Sequence, residues 1–195
     1  MKRLIWIALL GVVPALASAQ THHGHGASRY AGEEGRAIKS LSEDDMAELR
    51  RGGGWGFAKA AELNGVPGPA HLLELKDEIP LNAKQVAAVE VIFKRMQRDA
   101  IAEGERLIAL EQELETLFRE RRVTDENLRQ KLEQIEASRG RLRYVHLSAH
   151  LTTPALLSRE QIERHIKLRG YGDDPCANVP AGYDAKMWRR HNNCE

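Results

Sequence analysis

LNAKQVAAVEVIFKRMQRDAIAEGERLIALEQELETLF, residues Leu81 to Phe118, is the stretch that decides the fold. Val86, Val89, Phe93, Met96, Ala100, Leu107, Leu110, Leu114 and Leu117 recur at alternating steps of three and four, the period of a helix that buries one stripe. Glu103 stands where the series expects an apolar residue. No proline interrupts the chain from Leu81 to Thr153, and the one turn signal is Arg122-Val123-Thr124-Asp125. Thr124 can cap a second helix whose apolar series is Leu128, Leu132, Ile135, Leu142, Val145 and Ala149. The pattern predicts an all-α fold built on a long antiparallel helical hairpin. Helices of ~40 and ~30 residues would make it about 45 to 60 Å long. Such a hairpin buries one stripe of each helix, so short flanking helices, a second subunit or a client must cover the remaining apolar surface.

Upstream, Ser42-Glu43-Asp44-Asp45 places a capping hydroxyl ahead of acidic first-turn residues and predicts a short helix to Arg51, ended by Gly52-Gly53-Gly54. A second short helix is expected from Gly56 to Leu63, stopped by Asn64-Gly65, and a third from Pro69 to Glu78, stopped by Pro80. Trp55 and Phe57 read as a plug that fixes this arm to the hairpin, with a docking anchor as the alternative. The segment 20–41, rich in Gly, His and Ser at its start, reads as flexible.

The first nineteen residues read as a cleavable signal peptide. Lys2 and Arg3 form a positive start, Leu4 to Val13 an apolar run too short to span a bilayer, and Ala17-Ser18-Ala19 a small-residue cleavage site. The expected destination is the periplasm. The full chain has 195 residues with 29 Lys plus Arg against 28 Asp plus Glu, and this near balance argues against a general nucleic-acid binder. Aromatic residues make up only 5% against 29% charged, which suits long wet helices better than a thick core. An oxidising compartment favours a disulfide between Cys176 and Cys194, a clasp on the Gly/Pro/Asn-rich tail 172–195.

Leu81-Asn82-Ala83-Lys84-Gln85 and Leu157-Ser158-Arg159-Glu160-Gln161 repeat one pattern: Leu, a capping residue, two variable positions and Gln. Each is a capping box. Asn82 or Ser158 accepts from the third helical amide, Gln85 or Gln161 reaches back to the cap amide, and the preceding Leu serves as a hydrophobic staple. Two such boxes flanking a long hairpin behind a signal peptide resemble the periplasmic LTxxQ-motif family, which holds Spy/CpxP-like chaperones and related zinc-resistance and heavy-metal-sensor proteins. The resemblance covers residues 68–171, with Asn82 and Ser158 in place of the family's Thr. It implies a bent four-helix protomer over residues 42–171 that often forms a homodimer. It also implies two jobs: ATP-independent protection of unfolding proteins in the envelope stress response, and metal sensing or buffering, with a membrane sensor kinase as a further partner.

Client binding needs apolar contacts spread among mobile charges. The candidates are Val91, Ile92, Ile101, Ile108 and Leu147, read as outward-facing and set among Lys94, Arg95, Arg98, Arg139, Arg141 and Arg143. The alternative for any one of them is a solvated face whose apolar residues are covered by the short N-terminal helices or by a dimer partner. The alternating arginines 139, 141 and 143 would steer acidic or partly unfolded clients. Metal binding has two candidate places. His22, His23 and His25 form a flexible tract suited to weak zinc, copper or nickel binding. His146 and His150 lie one helical turn apart on one face, the spacing of a two-imidazole half-site, with His71, Glu74, Glu78 and His165 available by composition. A histidine beside a core stripe more often hydrogen-bonds a neighbour, so this pair has a purely structural alternative. No nucleophile elbow, phosphate loop or H-E-x-x-H is present, and Glu111, Glu115 and Arg119 read as surface pairing, so no enzyme is expected and no cofactor is required.

Overall fold

A computed structural model describes residues 28–171, 179, 182–192 and 194. Residues 28–34 belong to an N-terminal unit and consist of turns. The second unit begins at Gly35 and holds every helix among the described residues, with no strand. Residues 1–19, expected to be a signal peptide, the His22-His23-His25 tract and Cys176 lie outside the described residues. Cys194 is disulfide-bonded. Among the described residues, no helix is long and apolar enough to cross a membrane.

The fold is all-α and its frame is the expected hairpin. Helix α4 runs Ala83–Arg119 and α5 runs Asp125–Thr152, packed along each other. Asn82 and Thr124 start them with complete capping boxes, Asn82 with Gln85 and Thr124 with Asn127. The stripe read from the sequence is buried through its middle at Val89, Met96, Ala100, Leu107, Leu110, Ile135, Leu142 and Ala149. Toward the tip, Leu114, Leu117 and Leu128 are half-buried and Leu132 and Phe118 are exposed, because nothing among the described residues of this unit covers them beyond the turn. Glu103, the polar break, accepts from Ser138 Oγ at 2.7 Å and from Arg141 across the interface, so the missing apolar contact is replaced by a satisfied polar one.

The upstream arm packs on this frame. Helix α1, Glu43–Arg50, carries a capping box between Ser42 and Asp45 and buries Met46 and Leu49. These join Ile38, Leu41, Leu107, Leu110, Ile135 and Leu142 in the main core. Packing therefore begins before Ser42: Ile38 and Leu41 are apolar anchors within a stretch whose Gly/Ser/His composition had pointed to flexibility. The approach of α1 is close, since a Cβ on Gly104 would come within 2.6 Å of the Leu49 carbonyl oxygen. Helices α2, Lys59–Glu62, and α3, Pro69–Glu74, are shorter than expected. Trp55 and Gly56 have left-handed φ of 41° and 74°, which keeps the chain out of a helix until Lys59. A second core gathers Leu72, Ile79 and Val89, with Leu81, Leu156 and Leu157 packed against it. A 3-10 turn, Thr153–Leu156, leads from α5 into α6, Arg159–Leu168, and a last helix, α7, spans Ala185–His191.

Three expectations are corrected. Ile108 is not an outward residue: it is 7% exposed inside the main core, because α1 and the chain before it cover that side of α4. Arg139 and Arg141 are not free steering charges. Arg139 lies 4.9 Å over the Trp55 ring and Arg141 is held by Glu103. Glu111 and Glu115 are not a surface ladder: Glu111 is buried and accepts from Ser40 Oγ at 2.8 Å, and Glu115 pairs with Lys39 at 2.7 Å.

Candidate functional site

The repeated capping boxes meet in space. Gln85 and Gln161 each accept their own cap amide on Oε1, at 3.0 Å from Asn82 and 2.9 Å from Ser158. Their carboxamides also contact each other at 2.8 and 3.1 Å. Each Nε2 donates further to a carbonyl two residues before the other helix's cap, Gln85 to Leu156 and Gln161 to Pro80. Leu81 and Leu157, which precede the two caps, pack against the second core of Leu72, Ile79 and Val89. The repeat thus joins the start of α4 to the start of α6 through a nearly two-fold set of hydrogen bonds, and so fixes the base of the hairpin.

Beside this base lies a cavity of about 440 Å³ between the arm and the hairpin. His146 and His150 reach it from α5, Glu62 and His71 from the arm, and Phe93 and Met96 from α4. His150 Nδ1 bonds the Val66 carbonyl at 2.9 Å, and its ring packs so close to Gly68 that a Cβ there would lie 2.4 Å from Nε2. His146 stacks on Phe57 at 6.2 Å, and its buried Nε2 has no partner. Burial, reinforced by neighbouring His150, holds His146 below the usual imidazole range, so it is neutral and its ring keeps a lone pair. Among the described residues, no three His, Cys, Asp or Glu side chains stand where they would hold a metal ion. Imidazole nitrogens suit a borderline divalent cation such as zinc, copper or nickel, but among the described residues the cavity offers His146 and His150 without a third ligand placed to complete a site.

The wall opposite is an ion cluster that sequence reasoning named only in part. His71 Nδ1 contacts Glu74 at 2.8 Å, and Nε2 lies 3.5 Å from Glu62. The hydrogen bond from His71 lowers Glu62 to about 2, and Glu62 in turn raises His71. Tyr171 Oη donates to Glu62 at 3.2 Å, and Arg169 lies 3.8 Å from it. His165, 1% exposed, has no hydrogen-bond partner on either ring nitrogen, and burial first, then the charge of Arg169, lowers it to about 4. Glu62, Arg169 and Tyr171 escaped the sequence because they sit on a one-turn helix and a helix end, where no periodicity marks which side chains converge.

The second candidate is the outer face of the hairpin. A groove of about 380 Å³ runs between α4 and α5, lined by Val91, Ile92, Arg95, Tyr144, Val145 and Ala149. Val91 is 68% exposed, Tyr144 71% and Leu151 78%. Of the expected client-binding residues, Val91 and Ile92 lie in this groove. Ile101 is half-buried, close to Gly52 at the foot of α1, Leu147 is half-buried, and Arg143 is exposed. Comparison of the chain with family models, characterised proteins and solved structures finds no match, so the functional reading rests on these residues and on the motif pair.

Proposed function

We propose that this protein is an exported, LTxxQ-like, ATP-independent chaperone of the bacterial periplasm, and that unfolding proteins bind the outer face of its hairpin. The observation that carries the reading is the apolar groove lined by exposed Val91 and Tyr144 and half-buried Ile92, with Leu151 exposed further along α5. Large apolar side chains left in water along one face support an interaction surface there. The arginines around them supply weak, exchangeable contacts that let a client fold while bound. The test is aggregation of an unrelated, thermally unfolding client without ATP. Suppression is expected near stoichiometric amounts, and its absence across a tenfold range of ratios would sink the reading.

A second reading, a periplasmic metal sensor or buffer, is favoured by one observation: the unpartnered His146 Nε2 in a cavity shared with His150, His71 and Glu62. Calorimetric titration with zinc, copper and nickel, repeated on His146→Ala with His150→Ala and on a chain lacking residues 20–26, decides it. Micromolar binding that is unchanged in both variants would remove these ligands from consideration.

A further inference from the structure

Gly140 stands in the interior of α5, where glycine weakens a helix relative to alanine, yet a Cβ added there would meet nothing within 4 Å. Gly104 is different, because α1 leaves no room for a side chain on it. Nothing inside the described fold requires Gly140 to be small. It belongs to a second series on α5, Ala137, Gly140, Tyr144, Leu147 and Leu151, spaced three, four, three and four. Ala137, Gly140, Tyr144 and Leu151 are exposed and Leu147 half-buried, so this series is separate from the buried stripe of Ile135, Leu142 and Ala149.

A seam of this period matches another helix: an extended segment alternates every two residues and falls out of register within two turns. A glycine among larger knobs lets a partner backbone approach closely there. Around Tyr144 and the groove the charges are mainly positive, whereas Glu133 and Glu136, both exposed, stand at the Ala137 end of the seam, Glu136 beside Arg139. Arg143 is exposed and makes no ion pair among the described residues, while Arg95 and Arg98, both largely exposed, share the single carboxylate of Asp99. We propose that the seam on α5, with the adjoining groove at Val91 and Ile92, takes a segment of the unfolding client as an amphipathic helix whose apolar stripe is flanked by carboxylates. The proposal rests on the chaperone reading above and names the class of segment that the face selects.

The test uses the purified protein and labelled peptides of about three heptads. One carries leucines at seam positions flanked by glutamates, one has the same composition scrambled, and one has lysines at the flanks. Fluorescence anisotropy should show at least about tenfold tighter binding of the glutamate-flanked helix than of either other peptide. Gly140→Leu should weaken that binding by a similar factor without loss of cooperative unfolding. Gly140→Ala should raise Tm while lowering affinity, a split that a purely structural glycine does not give. Arg95→Glu with Arg143→Glu should invert the preference between glutamate and lysine flanks. Equal binding of the scrambled peptide, or no effect of Gly140→Leu, overturns the proposal. So does sedimentation in which Gly140→Leu converts a dimer to a monomer, since the face would then belong to a second copy. Aggregation suppression that survives any of these outcomes leaves the chaperone reading standing, whereas failure of the parent protein to suppress aggregation removes both.

Discussion

Gln85 and Gln161 each use Oε1 for their own helix and Nε2 for the opposite one, so one side chain closes a local cap and a long-range contact together. Replacing either with Ala leaves a cap amide and a carbonyl without partners, a cost of about 1 to 3 kcal/mol. Because the two amides contact each other, the double variant should cost less than the sum of the singles by ~0.5 kcal/mol or more, read by urea unfolding in a double-mutant cycle. His165 makes a different prediction. It is neutral in the fold with a pKa of about 4, whereas the unfolded chain takes up the proton near an ordinary imidazole value. Its contribution is therefore complete above about pH 6.5 and is lost as the pH falls toward 4, amounting to roughly 3 kcal/mol at the acid end. His71 works in the opposite sense, since its raised pKa stabilises the fold below pH ~6.5 and that share is lost as the pH rises through its folded value. His165→Leu should flatten the acid limb of Tm against pH between about 6.5 and 4. An unchanged slope would mean that other groups control it.

At the level of elements, α4 performs two packing tasks on two faces. One face meets α5 through the stripe from Ala100 to Leu110, and the other receives α1 at Gly104. The period of the first face is plain in the sequence. The second is not, because a single glycine in a helical run gives no sign of what approaches it. Gly104→Ala should therefore destabilise the protein by about 1 to 3 kcal/mol despite the better helix propensity of alanine, since the neighbour that must yield is the Leu49 backbone rather than a flexible side chain. Thermal unfolding measures it, and a gain in stability would show that α1 can move aside at little cost. The same limit on one-dimensional reading explains Ile108. Its position on the wheel lies off the α5 stripe, so the sequence left it between an outward surface and cover by the N-terminal helices, and the arm that folds back over α4 buries it.

For the whole molecule, the thin hairpin gains its core by covering one side with the arm and leaving the other side open. The covered side holds Ile38, Leu41, Met46 and Leu49 against Leu107 and Leu142, and the open side presents Val91, Tyr144 and Leu151. Substitutions on the two sides should separate stability from function. Leu107→Ala is expected to cost about 2 to 5 kcal/mol. Leu151→Asp with Tyr144→Asp should leave urea unfolding within about 0.5 kcal/mol of the parent for each change while aggregation suppression falls. If both sets lower stability alike, the open face is part of the fold rather than a binding surface.

Apart from the start of α2 and the helix α7, much of the chain's local order followed from its sequence: where α1, α4, α5 and α6 start, which residues cap them, and the stripe that makes a hairpin. These depend on side chains within one turn of each other, and period and capping chemistry report them directly. Tertiary structure decided what those signals meet. It turned two separate capping boxes into one four-bonded junction and drew Glu62, His71, His146, His150 and His165 from four elements around one buried region. It also left Gly140 facing open space. Contacts between residues about 76 or 84 positions apart, such as Gln85 with Gln161 and Val66 with His150, depend on how the arm returns to the hairpin. No local pattern encodes that return, because it is set by which apolar faces remain to be covered once the helices have formed.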